Sequence, residues 1–144
     1  MTTTSAPATT SLPRLRAAAI LIAATAVAVA VNAVVAVVAQ ALGASSSFGG
    51  LTTPAYTSMT AVGMIAGWIG WRLIATRARN PRRTLAIAVP VVLVLSFIPD
   101  VLLATLQFMP GVTTTAVLAL MVMHLVVVAI AVPAYVAASR ALRR

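Results

Sequence analysis

Among the polar side chains that this 144-residue chain carries into apolar surroundings are Asp100, His124, Ser96 and Asn32. Asp100 is the only acidic residue and His124 the only histidine. Asp100 follows a proline within "LSFIPDVLLATLQFMPG", residues 95–111, and His124 interrupts "LALMVMHLVVVAIAVPA". A carboxylate and an imidazole kept from bulk water have two uses. They can relay a proton or hold a cation, since imidazole titrates near neutrality. Alternatively, they can bind each other and fix the register of two helices. Ser96 lies four residues before Asp100, so the two share one helix face. Ser, His and Asp are also the residue types of nucleophilic catalysis, but a serine and an aspartate on the same turn do not define a triad. No second acid, thiol, phosphate-binding loop or nucleophile elbow accompanies them. The expectation is therefore no enzyme, no cofactor and, with no cysteine and one histidine, no metal site.

The elements that position these residues follow from composition. Apolar residues make up 62% of the chain and charged residues only 8%, against about 45–50% and about 25% in soluble domains. Crossing roughly 30 Å of hydrocarbon takes about 20 helical residues. Four runs are long enough: 17–42, 55–76, 84–106 and 112–138. Barrel strands would be about 9–11 residues long, with alternating polar lumen positions that these runs lack. The connections "GASSSFGGLTTP", "RARNPRR" and "QFMPG" hold the Gly, Pro and Ser that end helices. The expected fold is all-α, a four-helix transmembrane bundle over 14–140. A low-complexity, disordered tail over 1–13 precedes it, and a short basic tail over 141–144 follows.

All ten basic residues are arginines, and they fall on one side of this bundle. Arg14 and Arg16 precede the first span, and Arg72, Arg77, Arg79, Arg82 and Arg83 surround the second connection. Arg140, Arg143 and Arg144 end the fourth span, and the remaining two connections carry no arginine. Positive residues in short loops stay cytoplasmic, which predicts that both termini face the cytoplasm and that the protein sits in the cell membrane. The net charge of +9 is then topology signal and contact with lipid headgroups, through Arg14, Arg16, Arg77, Arg79, Arg82, Arg83 and Arg140. Nucleic acid is not an expected partner, because no recognition module is present. The first span, with basic residues before it and "AQA" at 39–41, has some look of a signal peptide. Its apolar run exceeds the usual length of about 7–15 residues, so a retained helix is expected.

At 1.5 Å per residue, Asp100 lies about 10 Å from the outer end of span three, and His124 about 18 Å from that of span four. Asn32 lies about 15 Å from the outer end of span one. A lipid-facing Asp costs roughly 2.5–3.5 kcal/mol at a helix centre, so Asp100 is expected to turn inward. Asp100, His124, Ser96 and Asn32 form the candidate polar site, with Pro99 supplying a kink that reconciles the unequal depths of Asp100 and His124. Gly63, Gly67 and Gly70 in "GMIAGWIG" form a small-residue ridge for close helix packing.

The run "TAVGMIAGWIGWRLIATRARNPRRT", then "VLSFIPDVL", then "LALMVMHLVVVAIAVPA", resembles a family of actinobacterial four-helix membrane proteins of unknown function, over about Arg14 to Ala138. The resemblance implies an integral membrane protein and assigns no functional residues. Small multidrug-resistance exporters are also four-helix proteins with one key membrane carboxylate. Theirs lies in the first helix and this one in the third, so their site is not carried over. Two readings follow. One is a structural or accessory membrane protein with a buried Asp/His cluster, whose partners are lipids, a second copy or another membrane protein. The other is a small proton-coupled transporter, or a binder of a cationic or lipophilic small molecule. The first is the expectation.

Overall fold

The computed structural model describes residues 12–143. The expected N-terminal tail lies outside the described residues up to position 11, as does Arg144 in the expected basic tail. The order of elements is α1 (Leu12–Ala41), α2 (Thr53–Arg77), α3 (Pro81–Ser96), α4 (Ile98–Leu106) and α5 (Thr114–Ala141), with one 3-10 turn at Gly49–Leu51. Among the described residues there is no strand, and the fold is all-α. Helices α3 and α4 together make one span, so four helical segments are long and apolar enough to cross a membrane.

Proline opens four of the five helices. Pro13, Pro54, Pro81 and Pro99 each stand at the first or second helical position. There the missing N–H has no intrahelical partner to lose, and the fixed φ already suits the helix. Helix α5 uses a side-chain cap instead: Ala116 N–H donates to Thr113 Oγ1 at 3.1 Å. Helix α1 stops where Gly43 takes φ +95° and Ala44 N–H reaches back to the Ala39 carbonyl at 2.9 Å, a left-handed glycine stop.

Helices α1 and α5 share the most extensive contact in the molecule. Their buried stripes are largely alanine: Ala28, Ala36 and Ala39 on α1, with Ala116, Ala119, Ala131, Ala134 and Ala138 on α5. Lipid tails are as apolar as leucine, so helices in a bilayer gain from close backbone approach, which small residues permit. Phe48, 1% exposed, packs under the α1–α2 connection beside Leu51, Leu103 and Ala116. Helix α3 buries no residue, and α4 buries only Asp100 and Leu103.

At the arginine-bearing end, Tyr135 joins α5 to α2. Its hydroxyl donates to the Met64 carbonyl at 2.6 Å, and its ring lies 5.6 Å from Trp68 and 5.8 Å from Trp71. Only one member of the glycine ridge is demanded by this packing. A Cβ on Gly67 would stand 2.6 Å from the Tyr135 hydroxyl oxygen. One on Gly63 would make an ordinary 4.0 Å contact with Val127, and one on Gly70 would meet nothing within 4 Å. Gly67→Ala should therefore destabilise the folded protein by about 1–3 kcal/mol. Gly70→Ala should leave stability unchanged within about 0.5 kcal/mol. Unfolding by denaturant in detergent micelles measures both, and equal effects would refute this account of the ridge.

Candidate functional site

The site begins with a broken helix. Pro99 has no N–H to bond the Leu95 carbonyl, and the third span breaks two residues earlier, at Phe97. The Phe97 N–H closes a tight turn onto the Val94 carbonyl at 3.1 Å, and Val101 N–H then bonds the Phe97 carbonyl at 2.9 Å to start α4. The break moves Asp100 from the middle of a helix to the first turn of a new one. A carboxylate there meets the positive end of the helix dipole, a favourable term of about 0.3–1 kcal/mol on exposed helices and more where partly buried.

From this position Asp100, 5% exposed, reaches across to α5. Its Oδ2 stands 3.3 Å from His124 Nδ1, although the two residues differ in depth by about one and a half turns along their own helices. The same Nδ1 lies 2.8 Å from the Leu120 carbonyl. A carbonyl only accepts, so Nδ1 carries the hydrogen and aims it along its own helix. Asp100 Oδ2 consequently sits close to the imidazole without a hydrogen bond of its own, and the contact is electrostatic. His124 is the open side of the pair, with 38% of its side chain exposed, and it meets the ring of Phe97 edge-on at 6.1 Å.

The other candidates lie elsewhere. Ser96 does not bridge the pair: its hydroxyl donates to the Leu93 carbonyl of its own helix at 2.6 Å. Asn32, 1% exposed, turns to α2, where its Nδ2 donates to Thr60 Oγ1 at 2.9 Å. Among the described residues no hydrogen bond or ion pair links Asn32 or Ser96 to Asp100 or His124. The polar residues thus form separate interhelical contacts, α1 to α2 and α4 to α5. A third contact joins α2 to α5, where Trp71 Nε1 donates to Ser139 Oγ at 3.1 Å. Sequence reasoning missed Thr60, Tyr135 and Ser139 as partners. The usable signal was the fourfold spacing of Ala131, Tyr135 and Ser139 on one face of α5.

Two cavities among the described residues bear on this, and neither is lined by Asp100, His124, Ser96 or Asn32. One, of about 340 Å3, is an apolar groove between α1 and α5. The other, of about 840 Å3, lies at the arginine-bearing end and takes in Arg82, Arg83 and Arg140. Arg14, Arg16, Arg77 and Arg79 are exposed at the same end. No group of three or more His, Cys, Asp or Glu side chains that could hold a metal occurs among the described residues.

Separate contacts should be energetically separate. A double-mutant cycle pairing Asn32→Ala with Thr60→Val should give a coupling of about 0.5–1.5 kcal/mol, the range of polar contacts between membrane helices. Pairing Asn32→Ala with Asp100→Asn should give additivity within about 0.5 kcal/mol. A strong coupling in the second cycle would mean one shared network, contrary to the geometry.

Among curated proteins and solved structures, none matches the chain. A family model does, over residues 10–141, which takes in all four apolar spans and the Asp100–His124 pair. The chain belongs to the Family of unknown function (DUF6069).

Proposed function

We propose that this is a small integral protein of the cell membrane, structural or accessory in type, in which Asp100 and His124 clasp the third span to the fourth. Both termini face the cytoplasm in this reading, because every arginine falls at one end of the four spans. An actinobacterial origin is part of the same reading, from the resemblance of the spans and from the use of arginine throughout in place of lysine. The partners are membrane lipids and a second copy or another membrane protein. Nucleic acid, a metal and an enzymatic role are not part of it.

The observation that carries the clasp is how little of the third span is buried. Asp100 and Leu103 are the only residues that α3 and α4 bury, and Asp100 spends its position on a 3.3 Å contact with α5. One observation favours the second reading, a small proton-coupled transporter or a binder of a cationic or lipophilic molecule. Asp100 Oδ2 is buried without a hydrogen bond, beside an imidazole that is partly exposed. Such a carboxylate is free to take a proton or a cation.

The two readings separate on one variant. Asp100→Asn should lower unfolding free energy by roughly 0.5–2 kcal/mol. It should also speed labelling of a single cysteine placed at Leu103, which the cysteine-free chain allows without background. Wild-type proteoliposomes should carry no more pH-driven proton flux than empty ones. A variant of wild-type stability, together with wild-type flux that the variant abolishes, would overturn the clasp in favour of transport.

A further inference from the structure

The arginine-bearing end holds more charge than topology requires, and part of it is organised. Arg82, Arg83, Arg140 and Arg143 all line the cavity of about 840 Å3 where α2 ends, α3 begins and α5 ends. That volume falls within the range of about 300–1,000 Å3 typical of small-molecule sites. The chain has one side-chain carboxylate, Asp100, and it is engaged with His124. His124 lies roughly 18 Å along α5 from Val136 on the cavity wall. Four guanidinium groups therefore share a concave surface with no side-chain counter-charge.

Two further features favour an anion. Helix α3 starts at the cavity with Asn80 making no side-chain cap and no acid in its first turn, so its first N–H groups have no side-chain acceptor. Ser139, 4% exposed, also lines the cavity. Its oxygen accepts from Trp71 Nε1, and among the described residues none accepts its own proton. A buried hydroxyl donor is thus free beside the four arginines. The remaining wall is apolar, formed by Trp71, Leu85 and Val136. Free phosphate has no use for such a wall, whereas an acyl chain does.

We propose that this cavity is a binding site for an anionic phospholipid, its phosphate held among Arg82, Arg83, Arg140 and Arg143 and its acyl chain laid along Trp71, Leu85 and Val136. Guanidinium groups suit phosphate because they present paired donors in a planar fork. Basic pockets between membrane helices are a known way to hold such headgroups. With four arginines available, a lipid with two phosphates binds more tightly than one with a single phosphate.

The test is titration of the full chain in detergent micelles, read by native mass spectrometry. The probes are a two-phosphate anionic lipid, phosphatidylglycerol, phosphatidylcholine and inorganic phosphate. Affinity should fall in that order, with the last two showing no saturable binding at matched concentrations. Arg83→Gln with Arg140→Gln should weaken anionic-lipid binding by about tenfold or more, as expected on losing charge-assisted hydrogen bonds. Arg77→Gln with Arg79→Gln removes the same charge outside the cavity and should change binding less than about twofold. Should the glutamine pair fail to fold, Arg83→Lys with Arg140→Lys keeps the charge, loses the fork, and should still weaken binding several-fold. Three results would overturn the proposal: equal losses from the two glutamine pairs, equal binding of phosphatidylcholine, or saturable binding of inorganic phosphate as tight as that of the lipids.

Discussion

The contact between Asp100 and His124 is the one polar side-chain pair that joins the third span to α5 among the described residues. In water, a helix joins a bundle by burying an apolar stripe. In a bilayer that gain vanishes, and association rests on close packing and polar contacts. Helix α3 offers no buried residue, and α4 offers Asp100 and Leu103. A charged side chain is costly in hydrocarbon, and the one carboxylate stands 3.3 Å from the one imidazole. The break at Phe97 places Asp100 in a first helical turn, where the backbone favours negative charge.

The rest of the bundle is held differently at its two ends. Away from the arginines, Phe48 and Leu51 of the first connection pack with Leu103 and Ala116. Gly111, with φ +77°, allows the second glycine-bearing connection to approach, since a Cβ there would stand 2.7 Å from Ser47 Oγ. At the arginine end, Tyr135, Trp68 and Trp71 join α2 to α5, and Arg72 lies over the Trp68 ring at 5.7 Å. Between the ends runs the alanine seam of α1 and α5. The bundle is thus a close-packed α1–α5 pair, with α2 fastened by aromatic and amide contacts and the third span held by the Asp100–His124 contact, by Leu103 in the apolar cluster and by packing of α3 on α2 and α5.

Much of this could be read from the residues. Run length gave four spans, because hydrocarbon thickness fixes helix length, and Pro and Gly marked the breaks. The partnership of Asp100 with His124 was readable because the chain has no other acid or histidine to offer. Other features were not readable, for one physical reason. Counting residues along a helix gives depth, while contacts also depend on azimuth and tilt. Asn32 shared a leaflet with Asp100 yet turned to Thr60, and Ser96 shared a face with Asp100 yet bonded its own backbone. The third span breaks at Phe97, a position that Pro99 alone does not locate. The alanine seam was hidden by composition: where alanine is everywhere, a stripe of it carries little signal.

The most direct test of the clasp is a distance measured in a lipid bilayer. The single acid and the single histidine make it accessible, since labelling by residue type yields one carboxyl carbon and one imidazole. Solid-state NMR dipolar recoupling between the Asp100 carboxyl 13C and the His124 15Nδ1 should give the strong coupling that an Oδ2–Nδ1 separation of 3.3 Å implies. The Nδ1 signal should be that of a protonated nitrogen bonded to the Leu120 carbonyl. Absence of measurable coupling in a folded, bilayer-embedded sample would place the two groups apart and contradict the account of how the third span is held.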